Sequence, residues 1–133
     1  MTDKTFIILK PDAVKRKLTG EIISRIERKN LTITKMELRV LDRASLEKHY
    51  EEHKDKPFFA GMVEAMGSGP AVVLQVEGRE AQSVMRILIG ATDPAKADAG
   101  TIRGDLGIDF SENLIHGSDS PESAERELSI WFN

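Results

Sequence analysis

Four segments with the character of β-strands are spread along the chain, and they limit the fold to one built around a sheet. The apolar run Phe6–Leu9 ends at Pro11, because proline lacks the amide hydrogen that a continuing central strand needs. Residues 31–40 alternate in polarity, which predicts a half-buried strand with Thr32, Thr34, Met36, Leu38 and Val40 on one face and Ile33, Lys35, Glu37 and Arg39 on the other. Two further strands are predicted at residues 71–76 and 114–116.

Segments of helical character separate these strands. Each has apolar residues at helical spacing or a residue type that begins or ends helices. They comprise residues 20–30, a pair of helices from Asp42 to about His53 and from Pro57 to Met66, residues 81–89 before Gly90, and a last helix from Ser120 to about Leu128. A polar loop of residues 91–112 is unusually long for a compact domain, and such loops are commonly functional.

The resulting order is β-α-β-(αα)-β-α-β-α. It predicts an α+β fold, a ferredoxin-like β-α-β-β-α-β sandwich with a helical pair inserted between the second and third strands and a C-terminal helix. A chain of 133 residues that is 40% hydrophobic suits one domain, and we expect residues 1–133 to form it. This fold class hosts enzymes, RNA binders and ligand sensors alike, so it does not identify a function.

The composition excludes several classes of protein. The chain has no cysteine, which excludes disulfides and thiolate metal sites and fits a reducing compartment best. Its formal net charge is −3, whereas a general nucleic-acid binder is basic overall. Any anion-binding site therefore has to be a local group of basic residues. The polar start and the short apolar run after it match neither a signal peptide nor a membrane span. We therefore expect a cytoplasmic protein that binds no membrane and no specific nucleic acid.

His49 and His53 match the H-x-x-E-H spacing of inverted zinc proteases. No obvious third ligand follows on a neighbouring helix, and such short patterns recur by chance, so we interpret both histidines as structural and predict no protein metal site. The chain also lacks a G-x-x-x-x-G-K-S/T loop, and its segment Gly67-Ser68-Gly69-Pro70 is not a complete G-x-G-x-x-G. Discrete side chains would therefore have to bind any phosphate.

An isolated histidine lies in the segment Asn113-Leu114-Ile115-His116-Gly117-Ser118-Asp119-Ser120. Imidazole titrates near neutral pH and has two distinct nitrogens, so an accessible histidine here can be a nucleophile, a general base or a ligand. The alternative is a histidine whose ring is satisfied by local hydrogen bonds in a turn. The segment alone leaves both interpretations open.

Two basic residues lie outside the predicted helix faces, Lys10 at the exit of the first strand and Arg103 in the long loop. Arginine offers a planar fork that matches phosphate oxygens, while lysine acts as a point charge. A solitary loop arginine is more often a solvated surface charge, and that alternative stays open for Arg103.

Taken together, these features resemble the nucleoside diphosphate kinase family over nearly the whole chain. The resemblance is carried by Lys10-Pro11-Asp12, His49-Tyr50, Pro57-Phe58-Phe59, Gly67-Ser68-Gly69-Pro70, Gly100-Thr101-Ile102-Arg103-Gly104-Asp105 and Asn113-Leu114-Ile115-His116-Gly117-Ser118-Asp119. It implies ping-pong transfer of the γ-phosphate from a nucleoside triphosphate, typically ATP, to a nucleoside diphosphate such as GDP, through a phosphohistidine on His116. Broad tolerance of base and sugar is implied as well, with Mg²⁺ held mainly by the nucleotide phosphates and water.

The same resemblance implies roles for the other site residues. The catalytic set is His116, Lys10, Glu127, Tyr50 and Ser118, in which Glu127 accepts a hydrogen bond from the ring nitrogen of His116 that does not attack. The nucleotide-binding set is Lys10, Phe58, Met62, Arg86, Thr92, Arg103 and Asn113. Within it Asn113 meets the sugar hydroxyl and Phe58 stacks on the base, opposite Met62.

Plainer interpretations of several residues stay open. Glu127 is otherwise a surface carboxylate without a partner, Tyr50 a helix tyrosine whose hydroxyl reaches water, and Met62 part of an apolar core stripe. For the whole chain the alternative is a non-catalytic ferredoxin-like nucleotide-sensing module, which a missing nucleophile would indicate. An RNA binder of this fold would carry paired aromatics on its central strands, where this chain has only Phe6.

Two features bear on rigidity and assembly. Ala99 stands where the family usually has proline, so we expect the loop that bears Arg103 to be less rigid. Trp131 and Phe132 are two large aromatics near the end of the chain, and so small a domain has difficulty burying them. We expect them to pack in a subunit contact of a homo-oligomer, a tetramer or hexamer as the family resemblance implies.

Overall fold

A four-stranded antiparallel sheet organises the chain. The computed structural model describes residues 2–132, in which the strands are β1 (Thr2–Leu9), β2 (Thr32–Val40), β3 (Pro70–Arg79) and β4 (Ile115–Gly117). The helices are α1 (Pro11–Lys15), α2 (Thr19–Arg28), α3 (Arg43–His49), α4 (Phe59–Met66), α5 (Ala81–Ile89), α6 (Ile102–Leu106) and α7 (Pro121–Trp131), with a 3-10 turn at Glu51–His53. The strand order is β2-β3-β1-β4, and every pair is antiparallel. This confirms the predicted α+β ferredoxin-like fold.

Strand β1 lies inside the sheet, and its residues from Thr5 onwards are buried on both faces. Its residues Phe6, Ile7, Ile8 and Leu9 have no exposed surface, and burying such a side chain fully stabilises a fold by roughly 1.5–3 kcal/mol. Ile7 and Leu9 belong to one core cluster, and Phe6 and Ile8 belong to another. Because neighbours along a strand point to opposite faces, each face of the sheet has its own core.

The helices divide between the two faces. Ile26 of α2 and Met85 of α5 belong to the first core, together with Ile7 and Leu9. The second core contains Leu46 of α3, Val63 of α4 and Trp131 of α7. The inserted helical pair and the C-terminal helix therefore pack on the same face of the sheet. Within residues 2–132, no helix has the length and apolar character needed to cross a membrane.

The short elements differ from the sequence-based prediction. Helices α1 and α6 have five residues each, too few to produce a recognisable helical period, and the pattern predicts neither. The helix that begins after Asp42 ends at His49 instead of His53, and a 3-10 turn follows it. The predicted caps are confirmed, since the side chains of Asp42 and Ser120 accept hydrogen bonds from amides three residues later, at 2.9 and 3.1 Å.

Strand β2 is more exposed than its alternating pattern predicts. A bulge between Ile33 and Lys35 shifts the register, so that Ile33 and Met36 pair with residues of the first core and face the same side. On that side Met36, Leu38 and Val40 stay 56, 66 and 61% exposed. The strand lies at the edge of the sheet, beyond the part of this face that the helices cover. The predicted half-buried strand is therefore an edge strand with an exposed apolar stripe.

The two aromatics at the end of α7 lie within the domain. Trp131 is 2% exposed, and its ring lies parallel to that of Phe6 with 6.3 Å between centroids. Phe132 is half-buried and meets Phe6 edge-on. The expectation that Trp131 needs a subunit contact is wrong, because the second core has space for the indole.

Side chains fasten the long loop before β4. Helix α6 begins after Thr101, whose hydroxyl accepts a hydrogen bond from the Gly104 amide at 2.9 Å. The carboxylate of Asp105 accepts a hydrogen bond from the amide five residues earlier at 2.9 Å and pairs with Arg25 of α2 at 2.8 Å. Ala99 is exposed next to these contacts, so hydrogen bonds and charge hold a loop that lacks the proline.

Gly104 is the position at which this loop tolerates a side chain least. A methyl group there would collide with the Asp98 carbonyl oxygen and the Thr101 hydroxyl, whereas one at Gly61 of α4 would meet no atom within 4 Å. We expect Gly104→Ala to lower the free energy of unfolding by about 1–3 kcal/mol, and the control Gly61→Ala to raise it by up to about 1 kcal/mol. Urea unfolding followed by circular dichroism measures both changes, and parent-like stability of Gly104→Ala would contradict this loop structure.

Candidate active site

His116 lies on β4, on the face of the sheet that α3 and α7 cover. Its Cα pairs with that of Ile8 in β1, and directly paired residues of an antiparallel sheet point to the same face. Because Ile8 belongs to the second core, the imidazole of His116 is turned towards α3 and α7. Its side chain is 23% exposed, so a ligand can reach it.

The backbone just before His116 has an unusual conformation. Leu114 has a φ of +73°, a value that non-glycine residues rarely adopt. Two contacts from the segment after β1 secure it. The Lys10 amide donates to the Leu114 carbonyl at 2.8 Å, and the Leu114 amide donates to the Asp12 carboxylate at 3.1 Å. The Lys10-Pro11-Asp12 segment therefore fixes the chain two residues before the histidine.

Glu127 of α7 holds the His116 ring. Its Oε1 lies 2.9 Å from His116 Nε2 and accepts a second hydrogen bond from Ser118 Oγ at 2.7 Å. Burial alone would raise the pKa of this carboxyl, but its hydrogen bonds with His116 and Ser118 and the neighbouring imidazoles together outweigh burial, so the pKa is lowered and the group is ionised at neutral pH. A carboxylate only accepts, so Nε2 of His116 carries the hydrogen and Nδ1 keeps its lone pair. Glu127 is 5% exposed, and its interpretation as an unpaired surface carboxylate is wrong.

A second imidazole, that of His49, lies against His116. The two ring centroids are 4.6 Å apart, and the ring planes meet at 71°. His49 is the last residue of α3 and is 3% exposed. Burial, with a smaller contribution from the neighbouring His116, lowers the pKa of His49 to about 3. The ring of His49 is therefore neutral at pH 7.

A cavity of about 210 Å³ lies beside His116. Its lining combines histidines, arginines and carboxylates, and comprises His49, Tyr50, Glu52, His53, Arg86, Thr92, Arg103, His116, Gly117, Asp119, Ser123, Arg126 and Glu127. The predicted site residues in this lining are Tyr50, Arg86, Thr92, Arg103, His116 and Glu127. A larger surface groove, of about 540 Å³, is lined by residues of α3 and α7 and contains no predicted site residue.

Arg103 is buried, which overturns its interpretation as a solvated loop charge. It is 6% exposed, and its guanidinium donates to the carbonyl oxygens of Gly90, Asn113 and Ile115. Burial, followed by the nearby charge of Arg86, lowers the pKa of Arg103 to about 10, so it stays charged at pH 7. A guanidinium has five N–H donors, and those not engaged by the three carbonyls are available to an anion.

Arg86 of α5 is more exposed to solvent. Its Nη1 lies 3.4 Å from the Gly117 carbonyl oxygen and 3.3 Å from the Asp119 carboxylate. The Arg86 side chain is 38% exposed. Arg86 and Arg103 thus give the cavity one exposed and one buried positive charge.

Lys10 and Asn113 form a polar link to the cavity. Lys10 Nζ donates to Asn113 Oδ1 at 2.8 Å, and Asn113 Nδ2 donates to the Thr92 carbonyl at 3.3 Å. Burial lowers the pKa of the Lys10 ammonium, and the charge of Asp12 opposes this effect. Thr92 lines the cavity, while Lys10 and Asn113 lie outside the lining. Hydrogen bonds therefore join these three residues at the edge of the cavity.

The aromatic residues predicted around the nucleotide lie at the outer part of the site. Phe58 is 52% exposed, and its ring centroid is 5.7 Å from that of His53, which lines the cavity. Met62, one turn further along α4, is half-buried.

Tyr50 lines the cavity and packs edge-on against His49, with 4.6 Å between centroids. Burial raises the pKa of Tyr50, so the phenol stays protonated.

The two histidines of the H-x-x-E-H pattern do not lie on one helix. Helix α3 ends at His49, so His53 lies on the following 3-10 turn. In residues 2–132 the one group that brings three potential metal-binding atoms within 4.8 Å of one another is His49, His116 and Glu127. However, His49 Nδ1 accepts a hydrogen bond from Trp131 Nε1 at 3.0 Å, which leaves Nε2 with a hydrogen and no lone pair. This set is therefore poorly suited to a metal ion.

Three further residues at the site were not predicted. Asp12 holds the Leu114 amide, Asp119 pairs with Arg86, and Arg126 donates to the carbonyls at the end of α3, at 3.0 and 3.2 Å. Asp12 lies within a segment already singled out by its proline, which is a usable signal. Arg126 has no comparable signal, because its partners are backbone carbonyls 77 and 78 positions away.

The fold and the site define a class of protein. An accessible histidine whose tautomer is fixed by a buried carboxylate, next to guanidinium groups that can neutralise an anion, is suited to nucleophilic transfer of a phosphoryl group. The arrangement is that of a phosphotransferase.

Comparisons with known proteins agree with this class. The model of the family described as nucleoside diphosphate kinase matches residues 3–133. A nucleoside diphosphate kinase of Corynebacterium diphtheriae is 58% identical over 133 residues, covering 99% of this chain and 98% of its own. That of Streptomyces avermitilis is 59% identical, covering 99% and 97%. The structure of a halophilic nucleoside diphosphate kinase from Halobacterium salinarum in complex with CDP matches with a TM-score of 0.96 at 43% identity, over 100% of this chain and 89% of that chain.

The chain belongs to the nucleoside diphosphate kinase family. It is an enzyme, a phosphotransferase with nucleoside diphosphate kinase function. The family, the fold and the activity predicted from the sequence are thereby confirmed, and the alternative of a non-catalytic sensing module is not supported.

The buried neutral His49 makes the fold sensitive to acid. Its folded pKa of about 3 lies below the ordinary value of 6.5, so as the pH falls the unfolded chain takes up a proton before the folded one, and stability drops from about pH 6.5 down to about pH 3. We expect this residue to add up to about 1.4 kcal/mol per pH unit to the slope of the free energy of unfolding in that range. Urea unfolding at several pH values should give a shallower slope for His49→Gln. The matched control is His53→Gln, and equal slopes in all three proteins would contradict the neutral buried state.

Proposed function

We propose that His116 is the phosphoryl carrier of this enzyme. In the first half-reaction the Nδ1 lone pair bonds to the γ-phosphorus of a nucleoside triphosphate such as ATP, while the bond from that phosphorus to the β–γ bridging oxygen breaks and the diphosphate leaves. In the second, a terminal phosphate oxygen of another nucleoside diphosphate attacks the phosphohistidine, and Nδ1 recovers its lone pair. The observation that carries the proposal is the 2.9 Å contact of Nε2 with Glu127, which leaves Nδ1 as the nucleophilic nitrogen of an accessible ring.

Glu127 stabilises the charge that develops on the ring. When Nδ1 bonds to phosphorus the imidazole gains positive charge, which spreads to Nε2. The carboxylate beside Nε2 is buried and also bonded to Ser118, so it is already in position. Fixed charges of this kind are effective because they need no reorganisation during the reaction. Ser118 contributes by holding Glu127, and Tyr50 by its polar hydroxyl in the cavity lining.

Basic side chains neutralise the transferred group. Phosphoryl transfer requires mainly positioning and positive charge around the moving group. Arg103 keeps N–H donors that its three carbonyl partners do not engage, and Arg86 is 38% exposed. Thr92 lines the same cavity, and Lys10 is linked to it through Asn113. These positions are consistent with a bound nucleoside triphosphate whose phosphates extend from His116 along Arg86 and Arg103.

The residues of the cavity fit Mg²⁺ that is held by the nucleotide. Among the carboxylates of the lining, Glu127 is bonded to His116 and Ser118, and Asp119 pairs with Arg86 at 3.3 Å. Mg²⁺ keeps several waters and binds substrate phosphates in preference to protein cages. Phosphate oxygens and water are therefore its main ligands, and Asp119, 81% exposed, is suited to bind one of those waters. When bound, Mg²⁺ supplies positive charge to the phosphates.

Phe58, Met62 and Asn113 bind the nucleoside. The exposed ring of Phe58 offers a face for stacking, and stacking does not read the hydrogen-bonding edges of a base, which supports broad base tolerance. Met62 follows one helical turn later and covers the base from the other side. Asn113, hydrogen-bonded to Lys10, meets the sugar hydroxyl. The relative from Halobacterium salinarum forms a complex with CDP, which supports nucleotide binding here.

A homo-oligomer, a tetramer or hexamer, is also part of the proposal, with β2 as its contact. This strand is at the edge of the sheet, and Met36, Leu38 and Val40 form an exposed apolar stripe along it. An edge strand offers free backbone groups for pairing, and a second copy of β2 would cover the stripe.

Residues 1–133 are taken as one domain, and the nucleotide substrates and the lack of cysteine support a cytoplasmic location.

Labelling of the protein tests the role of His116. Brief incubation with γ-labelled ATP and Mg²⁺ should produce an acid-labile, base-stable label, because phosphoramidates hydrolyse in acid. A chase with GDP should remove the label as labelled GTP forms. His116→Ala should take up no label and lose activity by more than about 1,000-fold. Label that survives the chase, or that appears on His116→Ala, would contradict the carrier role.

Substitution in the β2 stripe tests the assembly. Light scattering at micromolar concentration should give the parent protein a mass several times the 14.8 kDa of one chain. Leu38→Lys should lower that mass, because a buried lysine without a partner disfavours the contact. Ile87→Lys is the control, since Ile87 is also apolar and 75% exposed but lies on α5. A parent mass of one chain, or equal masses in the parent and Leu38→Lys, would contradict assembly through β2.

A further inference from the structure

Trp131 fixes the orientation of His49. The indole Nε1 lies 3.0 Å from His49 Nδ1, and an indole nitrogen only donates hydrogen bonds. Nδ1 of His49 is therefore the acceptor, and the ring hydrogen lies on Nε2. Both side chains are buried, at 2 and 3% exposure, and the indole is itself held parallel to Phe6. The ring of His49 thus has one orientation and one tautomer.

The Nε2 of His49 has no hydrogen-bond partner in the part of the chain that the structure describes. Buried polar groups are usually paired, so an N–H held in this way needs a reason. The ring lies 4.6 Å from that of His116, at an interplanar angle of 71°. In such a contact the positive edge of one ring meets the face of the other, which restricts the orientation of both. His49 therefore constrains His116 independently of Glu127.

We propose that His49 is a positioning residue for the nucleophile: the indole of Trp131 holds it as a neutral imidazole edge-to-face with His116, so that His49 and Glu127 together set the orientation of the reacting ring. This inference rests on the proposed role of His116. His49 acts through His116 and neither attacks nor binds the phosphoryl group.

The neutral state of His49 matters because His116 gains positive charge during transfer. A protonated His49 would place a second positive charge at a centroid distance of 4.6 Å, and a hydrogen on its Nδ1 would oppose the indole N–H. The other charged groups that act on His49 are Glu127 and Arg126 of α7, and Arg39 of β2 lies over the indole, 5.1 Å from the ring centroid. The lowered pKa of His49 agrees with this geometry.

Removing the indole N–H tests the proposal. Trp131→Phe keeps an aromatic ring beside Phe6, and the control Phe132→Leu changes the same cluster but leaves the indole in place. Imidazole ¹⁵N NMR reports the tautomer and titration of His49 without turnover. The parent and the control should have one tautomer and no titration of His49 between about pH 8 and pH 5. Trp131→Phe should have both tautomers and a protonation midpoint above about pH 5.

Single-turnover labelling with γ-labelled ATP gives a second readout. For Trp131→Phe we expect the phosphorylation rate to fall by up to about fourfold relative to the parent near pH 6, where part of His49 is protonated, and by much less near pH 8, since His49 then stays neutral. The ATP concentration at half-saturation should not change, because His49 orients the ring of His116 and does not bind the nucleotide.

Two substitutions of His49 keep the test decisive if Trp131→Phe folds poorly. His49→Gln retains an N–H near the position of Nε2 but cannot be protonated, whereas His49→Leu retains only the bulk. We expect His49→Gln to keep the labelling rate within about tenfold of the parent, without an added loss near pH 6. His49→Leu should be slower than His49→Gln at both pH values.

The outcomes separate this inference from the proposed function. A single His49 tautomer and a parent-like pH profile in Trp131→Phe, or equal rates in the two His49 variants, would overturn the positioning role. Labelling of His116→Ala would instead overturn the carrier role. The NMR measurement of the His49 tautomer needs no turnover, so it tests the positioning role even if the carrier role fails.

Discussion

The pairing register between β1 and β4 determines the surroundings of the proposed nucleophile. Ile8 lies opposite His116, and Ile8 belongs to the second core. A slip of one residue would turn the imidazole to the other face of the sheet, away from Glu127 and the helices that carry the rest of the site. Because β1 is buried on both faces, such a slip would also place its apolar side chains in the wrong cores. The packing of the sheet therefore selects the chemistry available to the histidine.

Contacts between distant segments hold the site in place before a nucleotide arrives. Asp12 accepts a hydrogen bond from the Leu114 amide just before β4, and Glu127 accepts one from the ring of His116 on β4. One carboxylate therefore holds the backbone before this short strand and another holds its side chain. Arg103 and Arg126 donate to backbone carbonyls, which ties the loop and α7 to their neighbours. A site of this kind spends little of the binding energy on ordering its own side chains.

Local patterns were sufficient for the elements with a clear period or cap, and the family motifs were sufficient to single out His116. They were not sufficient for α1 and α6, whose five residues are too short for a period, nor for β2, where a bulge moves Ile33 to the opposite face. The burial of Trp131 and its bond to His49, 82 positions away, depend on two elements that meet only in the folded chain.

The loop that carries Arg103 has a further consequence for the enzyme. Its fastening to α2 depends on the pairing of Asp105 with Arg25, and Ala99 near this pair does not restrict the backbone as a proline would. Ion pairs near the surface weaken as dissolved salt screens them, whereas the stiffness of a proline ring does not. How precisely the loop positions the buried guanidinium of Arg103 therefore depends on the ionic strength of the solution as well as on the fold.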